Sequence, residues 1–417
     1  MKKVVSFLLV LMMVLSITLV SLAEEKPTLS VYFGNESLNK TMVTKFAELH
    51  PEINVEHITS DTASAEQVLK TGISAGDAPN VCSYWGTRVN TFYDIGMCKD
   101  LRDYLSEETL AKVSPTMQGV ATGENGEIYA IPYDAVYHVM FYNKDMMTEY
   151  GFEEPKTWDD LTAIFAKLKE DNIFGFCTNS VSMQDCMYGL TYSLLEEIAP
   201  GTSLGVASGE VSVLPGTEAG DAISKVINQV KEWYDAGYWY PGDGGISCSA
   251  DDANAAFAQG RTMFIFNFSG ALSTHAGNCD FEIGWQMKPV SEDGMTSYEN
   301  IEPNVFFIPS NTDEEHSKLA ASFLEYVLSQ DIQQEVVNAF YIPSVTGYEY
   351  KDISTISQEM FVTLDSGNII PGINPTRTSS AMQIFVKQQV FAAPCGGIMT
   401  VDETLEEMER IRLESIQ

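Results

Sequence analysis

The chain has 417 residues, 45% hydrophobic and 20% charged, with 58 acidic against 24 basic side chains and a net charge of -34. That length is too great for one ordinary core and suits two lobes or domains, and the composition is that of a globular rather than a disordered chain. So acidic a surface repels nucleic-acid phosphates and anionic lipid heads, which argues against a nucleic-acid partner and leaves small neutral ligands open.

Residues 1–23 read as an export signal. Lys2 and Lys3 precede an apolar run over 4–22, and Ser21-Leu22-Ala23 places small residues three and one before a cut ahead of Glu24. A retained membrane anchor is the alternative for a run of this length. The expected location is therefore secreted, periplasmic or cell-surface associated, with cleavage near Ala23. No cysteine lies near the cut, which argues against a lipid anchor.

Residues 28–33 alternate like a strand and end at Gly34-Asn35-Glu36. Leu38, Met42, Phe46 and Leu49 then recur at helical spacing, and Pro51 stops that helix. Ile53 and Val55 open a second strand. Ala65, Val68, Leu69 and Ile73 mark a second helix, and 81–85 form a third strand. This order predicts a mainly parallel, right-handed α/β unit. Ligands of such sheets sit beyond the carboxyl ends of strands, where Asn35, Glu36, Tyr84 and Trp85 fall.

Two more strands are expected over 128–132 and 138–142, with Tyr133, Asp134 and Tyr137 in the segment between them. Thr157 caps a helix whose Leu161, Ile164, Phe165 and Leu168 share one face, with Trp158 expected in the core. Ile223, Val226, Ile227, Val230 and Tyr234 mark a long amphipathic helix carrying Trp233, also a core candidate. A short helix over 253–259 leads into an apolar strand over 262–266. Late helices are marked by Phe323, Leu324, Val327 and Leu328, and by Leu405, Met408 and Ile411. No repeat or proline-rich linker separates the halves.

Seven cysteines, with no CxxC, read mainly as small buried hydrophobes, a Cys177–Cys186 bridge being left open. The five histidines show no HxxxH or HExxH spacing, so no metal site and no cofactor is expected.

The order of segments resembles a known family. Phe46-Ala-Glu-Leu-His-Pro51 through Val55, the turn Ala75-Gly-Asp-Ala-Pro-Asn-Val81, and Ile128-Tyr-Ala-Ile-Pro132 followed by Phe141-Tyr-Asn-Lys-Asp145 are similar to bacterial extracellular solute-binding proteins of the sugar-binding, maltose-binding-protein-like class. Pro155-Lys-Thr-Trp-Asp-Asp-Leu161, Ala255 to Arg261, and Gly396-Gly397 with Met399 to Leu405 follow in the same order. The resemblance covers essentially the whole mature chain. It implies a two-lobe periplasmic-binding-protein fold, each lobe a mainly parallel sheet flanked by helices, with a hinge between them. The lobes it implies are 24–134 plus 290–335 and 135–289 plus 336–417, with crossings near 133–137, 286–303 and 335–345. It also implies a monomer that captures a carbohydrate, of oligosaccharide size, between the lobes and passes it to the membrane permease subunits of an ABC importer, without catalysis.

A sugar site needs aromatic rings for C–H faces and planar polar groups for hydroxyls. Tyr84 and Trp85 supply rings at a strand end, where the family places a stacking residue. Asp134, between Tyr133 and Tyr137, is a candidate hydroxyl acceptor. Tyr238-Trp239-Tyr240 is either a subsite wall or a cover on the second lobe's core. Many relatives carry Asn-Gly-x-Trp after the late strand. Here the run is Asn267-Phe268-Ser269-Gly270, with glycine in place of the ring and Phe268 as its substitute. Arg377 is a further candidate, for hydroxyls or an acidic sugar. The competing readings are a secreted glycoside hydrolase, needing two carboxylates at a set separation, and the same fold holding a peptide or polyamine. No GxSxG, P-loop or metal motif supports an enzyme.

Overall fold

The computed structural model describes residues 26–33, 37–59, 65–364, 368–371 and 379–416. The expected signal, at 1–23, lies outside them. Among the described residues no helix is long and apolar enough to cross a membrane.

Two sheets share one strand. In the first, β1 (Thr28–Tyr32) lies between β2 (Asn54–Ile58) and β3 (Val81–Trp85), all parallel. The expected unit is there, but β3 then meets β8 (Glu299–Phe307) antiparallel, so the sheet is mixed. The residues of β8 alternate between its two faces, as a period of two requires. Phe306 joins Leu29, Val31, Met42, Phe46, Phe323 and Leu324 in one cluster. Val305 and Phe307 join Leu69, Ile73, Cys82 and Phe92 in another.

In the second sheet, β6 (Thr262–Phe268) pairs with β5 (Phe174–Cys177) in parallel. Helix Trp158–Glu170 packs on one face through Trp158, Leu161, Phe165 and Leu168, beside Trp233 of helix Glu218–Asp235 and Leu405 and Met408 of helix Val401–Ser415. Burying one such apolar side chain is worth about 1.5–3 kcal/mol. Thr157 forms the capping box, accepting from the Asp160 backbone while the Asp160 carboxylate accepts from Thr157. Gly175 is required by close approach: a Cβ there would sit 2.3 Å from the Phe165 ring. The opposite face packs Val139, Phe141 and Ile265 on Phe257 and Leu272.

The shared strand is β4 (Ile131–Asn143). The two short strands expected over 128–132 and 138–142 are one continuous strand of 13 residues. Asp134, expected in a loop between them, is buried within that strand, as is His138. Up to Tyr137, β4 pairs with β8; from His138 it pairs with β6, and from Met140 also with β7 (Ile283–Gln286). The chain returns from β7 to β8 through 287–298. After helix Gln330–Asn338 the chain comes to lie beside β4, and buried Gln333 of that helix donates to the Tyr133 carbonyl (3.0 Å) and accepts from the Ser344 amide (2.9 Å). β9 (Ile342–Pro343) pairs with β4 at Asp134 and Ala135, and β10 (Ile369–Pro371) lies parallel to β8. All seven cysteines are free, Cys177 and Cys186 included.

Trp158 donates from Nε1 to the Pro289 carbonyl at 3.0 Å and is 3% exposed. Trp158→Ala is expected to lower unfolding free energy by about 3–5 kcal/mol, and Thr157→Ala by about 1 kcal/mol. Chemical denaturation of the two variants checks both values, and equal losses would count against this packing.

Candidate functional site

The functional candidates gather where the first sheet's helices meet those of the second. β3 ends at Trp85, and Gly86 follows. Its amide donates to the Pro303 carbonyl at 2.8 Å, and a Cβ at Gly86 would lie 2.8 Å from that same oxygen. Glycine is thus demanded by backbone contact with β8. The chain then turns, Arg88 N–H donating back to the Trp85 carbonyl at 3.0 Å.

Arg88 is buried, 2% exposed. Its guanidinium donates to Glu66 and, at 2.7 Å, to Oε1 of Gln383. Glu66 also accepts from the Tyr84 hydroxyl (3.0 Å) and Lys70 (2.8 Å). Burial works against the Glu66 carboxylate, but Lys70, Arg88 and Tyr84 outweigh it and hold the group below the usual carboxylate range. Gln383 and Lys387 belong to helix Ser380–Gln388, which packs on the second sheet's core through Met382, Phe385 and Val386. The Lys387 ammonium lies 6.0 Å from the centre of the Trp85 ring and 3.4 Å from the Asp185 carboxylate. Bonds and ring contacts from both halves therefore converge on the Trp85–Arg88 turn. Two residues further, Asn90 borders a cavity of about 570 Å³ whose other side is Pro200, Thr202, Leu204 and Glu210 of the second half.

Beneath this lies a buried charged cluster. His138 Nε2 is 3.5 Å from Glu302, and donor atoms of His138, Asp185 and Glu302 lie within 4.8 Å of one another. Lys288 is paired with Glu299 at 2.6 Å, both almost wholly enclosed, and also donates to the His138 carbonyl. Burial pushes the Glu299 carboxyl up despite Lys288.

Of the residues singled out from sequence, Trp85 stands at this junction, half-buried. Tyr84 is 6% exposed, its ring in the first half's core and its hydroxyl on Glu66. Tyr133 stacks on Phe306 at 4.2 Å and shares a hydrogen bond with Ser83. Asp134 accepts from Asn304 at 2.6 Å. Tyr137 is fully buried, donating to the Met360 carbonyl. Trp239 is fully buried and stacked on Phe176 at 5.6 Å, a core cover with no face for a ligand in this arrangement. Asn267 accepts from the Phe268 amide, and the Phe268 and Tyr341 rings each lie 3.1 Å from where a Gly270 Cβ would be, so a side chain there would have to push both rings aside. Asn35, Glu36 and Arg377 lie outside the described residues.

Sequence reasoning missed Glu66, Arg88, Asp185, His138, Glu302, Gln383 and Lys387. A signal existed for one of them: His138 is a charged-capable group inside the otherwise apolar and aromatic run Val136 to Tyr142. Arg88, three residues beyond Trp85, carried none.

A model described as bacterial extracellular solute-binding protein matches residues 41–358. A maltotriose-binding protein of Pyrococcus abyssi is 29% identical over 119 residues, 28% of this chain, and the match spans only 25% of that relative. A multiple sugar-binding protein of Streptococcus mutans is 22% identical over 343 residues, 75% of this chain and 73% of that one. Among solved structures, a chitin oligosaccharide binding protein superposes with a TM-score of 0.80 at 20% identity, covering 94% of this chain and 99% of that one. An SBP RafE in complex with raffinose does so at 0.73 and 18% identity, covering 93% and 99%. These likenesses establish the two-lobe α/β fold.

Because Trp239 is core, Trp239→Ala is expected to cost about 3–5 kcal/mol of stability. Its thermal midpoint should drop clearly; an unchanged midpoint would return the ring to the list of ligand contacts.

Proposed function

The chain belongs to the bacterial extracellular solute-binding protein family, and from that premise we propose that it captures a carbohydrate between two lobes and hands it to the permease of an ABC importer. The lobes in this reading comprise 24–134 plus 290–335 and 135–289 plus 336–417, and the working form is a monomer, exported with cleavage near Ala23 and without catalytic activity. Family membership implies a secreted or periplasmic location.

One observation carries the ligand class. The Trp85 ring sits at the junction among Arg88, Gln383, Lys387 and Asp185, groups from both halves that give and accept hydrogen bonds. An aromatic face beside planar polar groups is what a sugar ring requires. The cavity between Asn90 and 200–211 supplies space beside that turn. Sugar-binding relatives of the same fold support the reading. Lobe closure over the sugar then presents the importer with a shape that the open form lacks.

A thermal-shift screen against mono- and oligosaccharides tests the class, since a ligand of the folded state raises its melting point. A panel without a shift, or release of hydrolysis products, would count against it. For the sugar giving the largest shift, Trp85→Ala is expected to weaken binding by about 1–3 kcal/mol while leaving the ligand-free melting point nearly unchanged. Titration calorimetry and melting of this variant separate a cleft ring from a core ring.

A further inference from the structure

A second ring stands at the seam between the halves, on the far side of β4 from Trp85. β9 pairs with β4 at Asp134 and Ala135, on the edge of β4 opposite to β8, and Tyr341 leads into it. Trp85 is registered with Asn304 of β8, Asn304 with Asp134 of β4, and Asp134 with Pro343 of β9. Trp85 and β9 are thus three inter-strand steps apart, about 14 Å at the usual spacing. The row lies just before His138, where β4 leaves β8 for the second sheet.

Tyr341 is half-buried and packs on the first half's core. It borders a cavity of about 460 Å³ with Leu38 and Thr41 of helix Ser37–Leu49, Asn338, and Ser273 of helix Leu272–Asn278. That last helix packs on the second half through Leu272, so both halves wall the cavity. Gly270 lets the two sides meet. Tyr341 Cζ and the half-buried Phe268 ring each lie 3.1 Å from where its Cβ would be, and Ser273 Oγ donates to its carbonyl at 2.9 Å. The residue ahead of Tyr341 is strained: Phe340 holds φ 63°, the left-handed region that ordinarily takes glycine at a helix end. Its amide donates to the Val337 carbonyl (3.0 Å) and the Tyr341 amide to that of Val336 (3.1 Å), so this turn fixes where Tyr341 stands. Strain of this kind clusters at ligand clamps.

We propose that Tyr341 is a second aromatic platform for the ligand, and that the site therefore selects an oligosaccharide reaching from Trp85 to Tyr341 over a monosaccharide. The chemistry repeats that at Trp85. A partly open ring has polar groups beside it, here the Asn338 amide and the Thr41 and Ser273 hydroxyls. A span of about 14 Å, three strand spacings, is beyond one sugar ring. A sugar chain lying along it meets both halves over its length. The inference rests on the carbohydrate reading, and adds to it the length of the ligand and the residue that reads that length.

The test is titration calorimetry and melting of the purified protein with α-glucan and chitin fragments of two, three and four units, alongside their monosaccharides. Longer fragments should bind more tightly than monosaccharides. Tyr341→Ala should weaken the three- and four-unit fragments about ten-fold or more, the order for one lost aromatic contact, and leave the two-unit fragments near wild type. Trp85→Ala should weaken every length. Tyr341→Phe should keep the affinity, since the ring face remains. Ser273 is exposed, and Ser273→Trp, which fills the cavity without entering a core, should repeat the Tyr341→Ala pattern; it decides if Tyr341→Ala does not fold. Fragments that bind equally to wild type, Tyr341→Ala and Ser273→Trp would overturn the platform while leaving the carbohydrate reading intact. So would a protein that takes only monosaccharides. A panel with no binding at all would remove the carbohydrate reading and the platform together.

Discussion

Everything in this molecule turns on one strand that belongs to two sheets. β4 can serve both only if its backbone continues unbroken through the junction, and that forces polar and charged neighbours into an enclosed place. Buried ions do not stabilise a fold by their presence; the loss of hydration roughly cancels the attraction. What the Lys288–Glu299 pair contributes is position. Its ammonium holds the carbonyl of the change-over residue, and its carboxylate accepts from the Asn300 amide, so β4 and β8 are pinned to each other where the sheet divides.

That pin is physically joined to the candidate ligand site. Glu302 and His138 sit against Asp185, Asp185 against Lys387, and Lys387 over Trp85. On the far side Arg88 links Glu66 of the first half to Gln383 of the second. A change in the separation of the halves therefore alters contacts at both the ring and the pivot. Lobe closure in such a fold is a rearrangement of discrete bonds of this kind, because the packed cores on either side do not deform.

The same packing separates rings that can meet a ligand from rings that cannot. Tyr133, Tyr137 and Trp239 each fill a core position and satisfy or hide their polar atoms there. Trp85 keeps part of its surface because it ends an inner strand and the chain turns away at Gly86. Aromatic composition alone cannot make that distinction, since burial depends on what arrives from the other half.

Local chemistry was legible in the amino-acid sequence wherever one element carried its own signal. Thr157 and Asp160 announced a capped helix, the spacing of Leu161, Ile164, Phe165 and Leu168 announced its buried face, and the strand–helix order up to Trp85 announced parallel pairing. The collinear motifs announced the family. What tertiary structure alone decided is every relation between distant segments. Asp134 interrupts an apolar run and so reads as part of a loop, yet Asn304, 170 residues further on, donates to it within one strand, and Glu302 comes within 3.5 Å of His138. Arg88 is an ordinary surface residue until Glu66 and Gln383 reach it. Hydrophobic period is a property of neighbours along the chain and survives in the sequence. Charge compensation is a property of neighbours in space, and it exists only once the chain has crossed between its two halves.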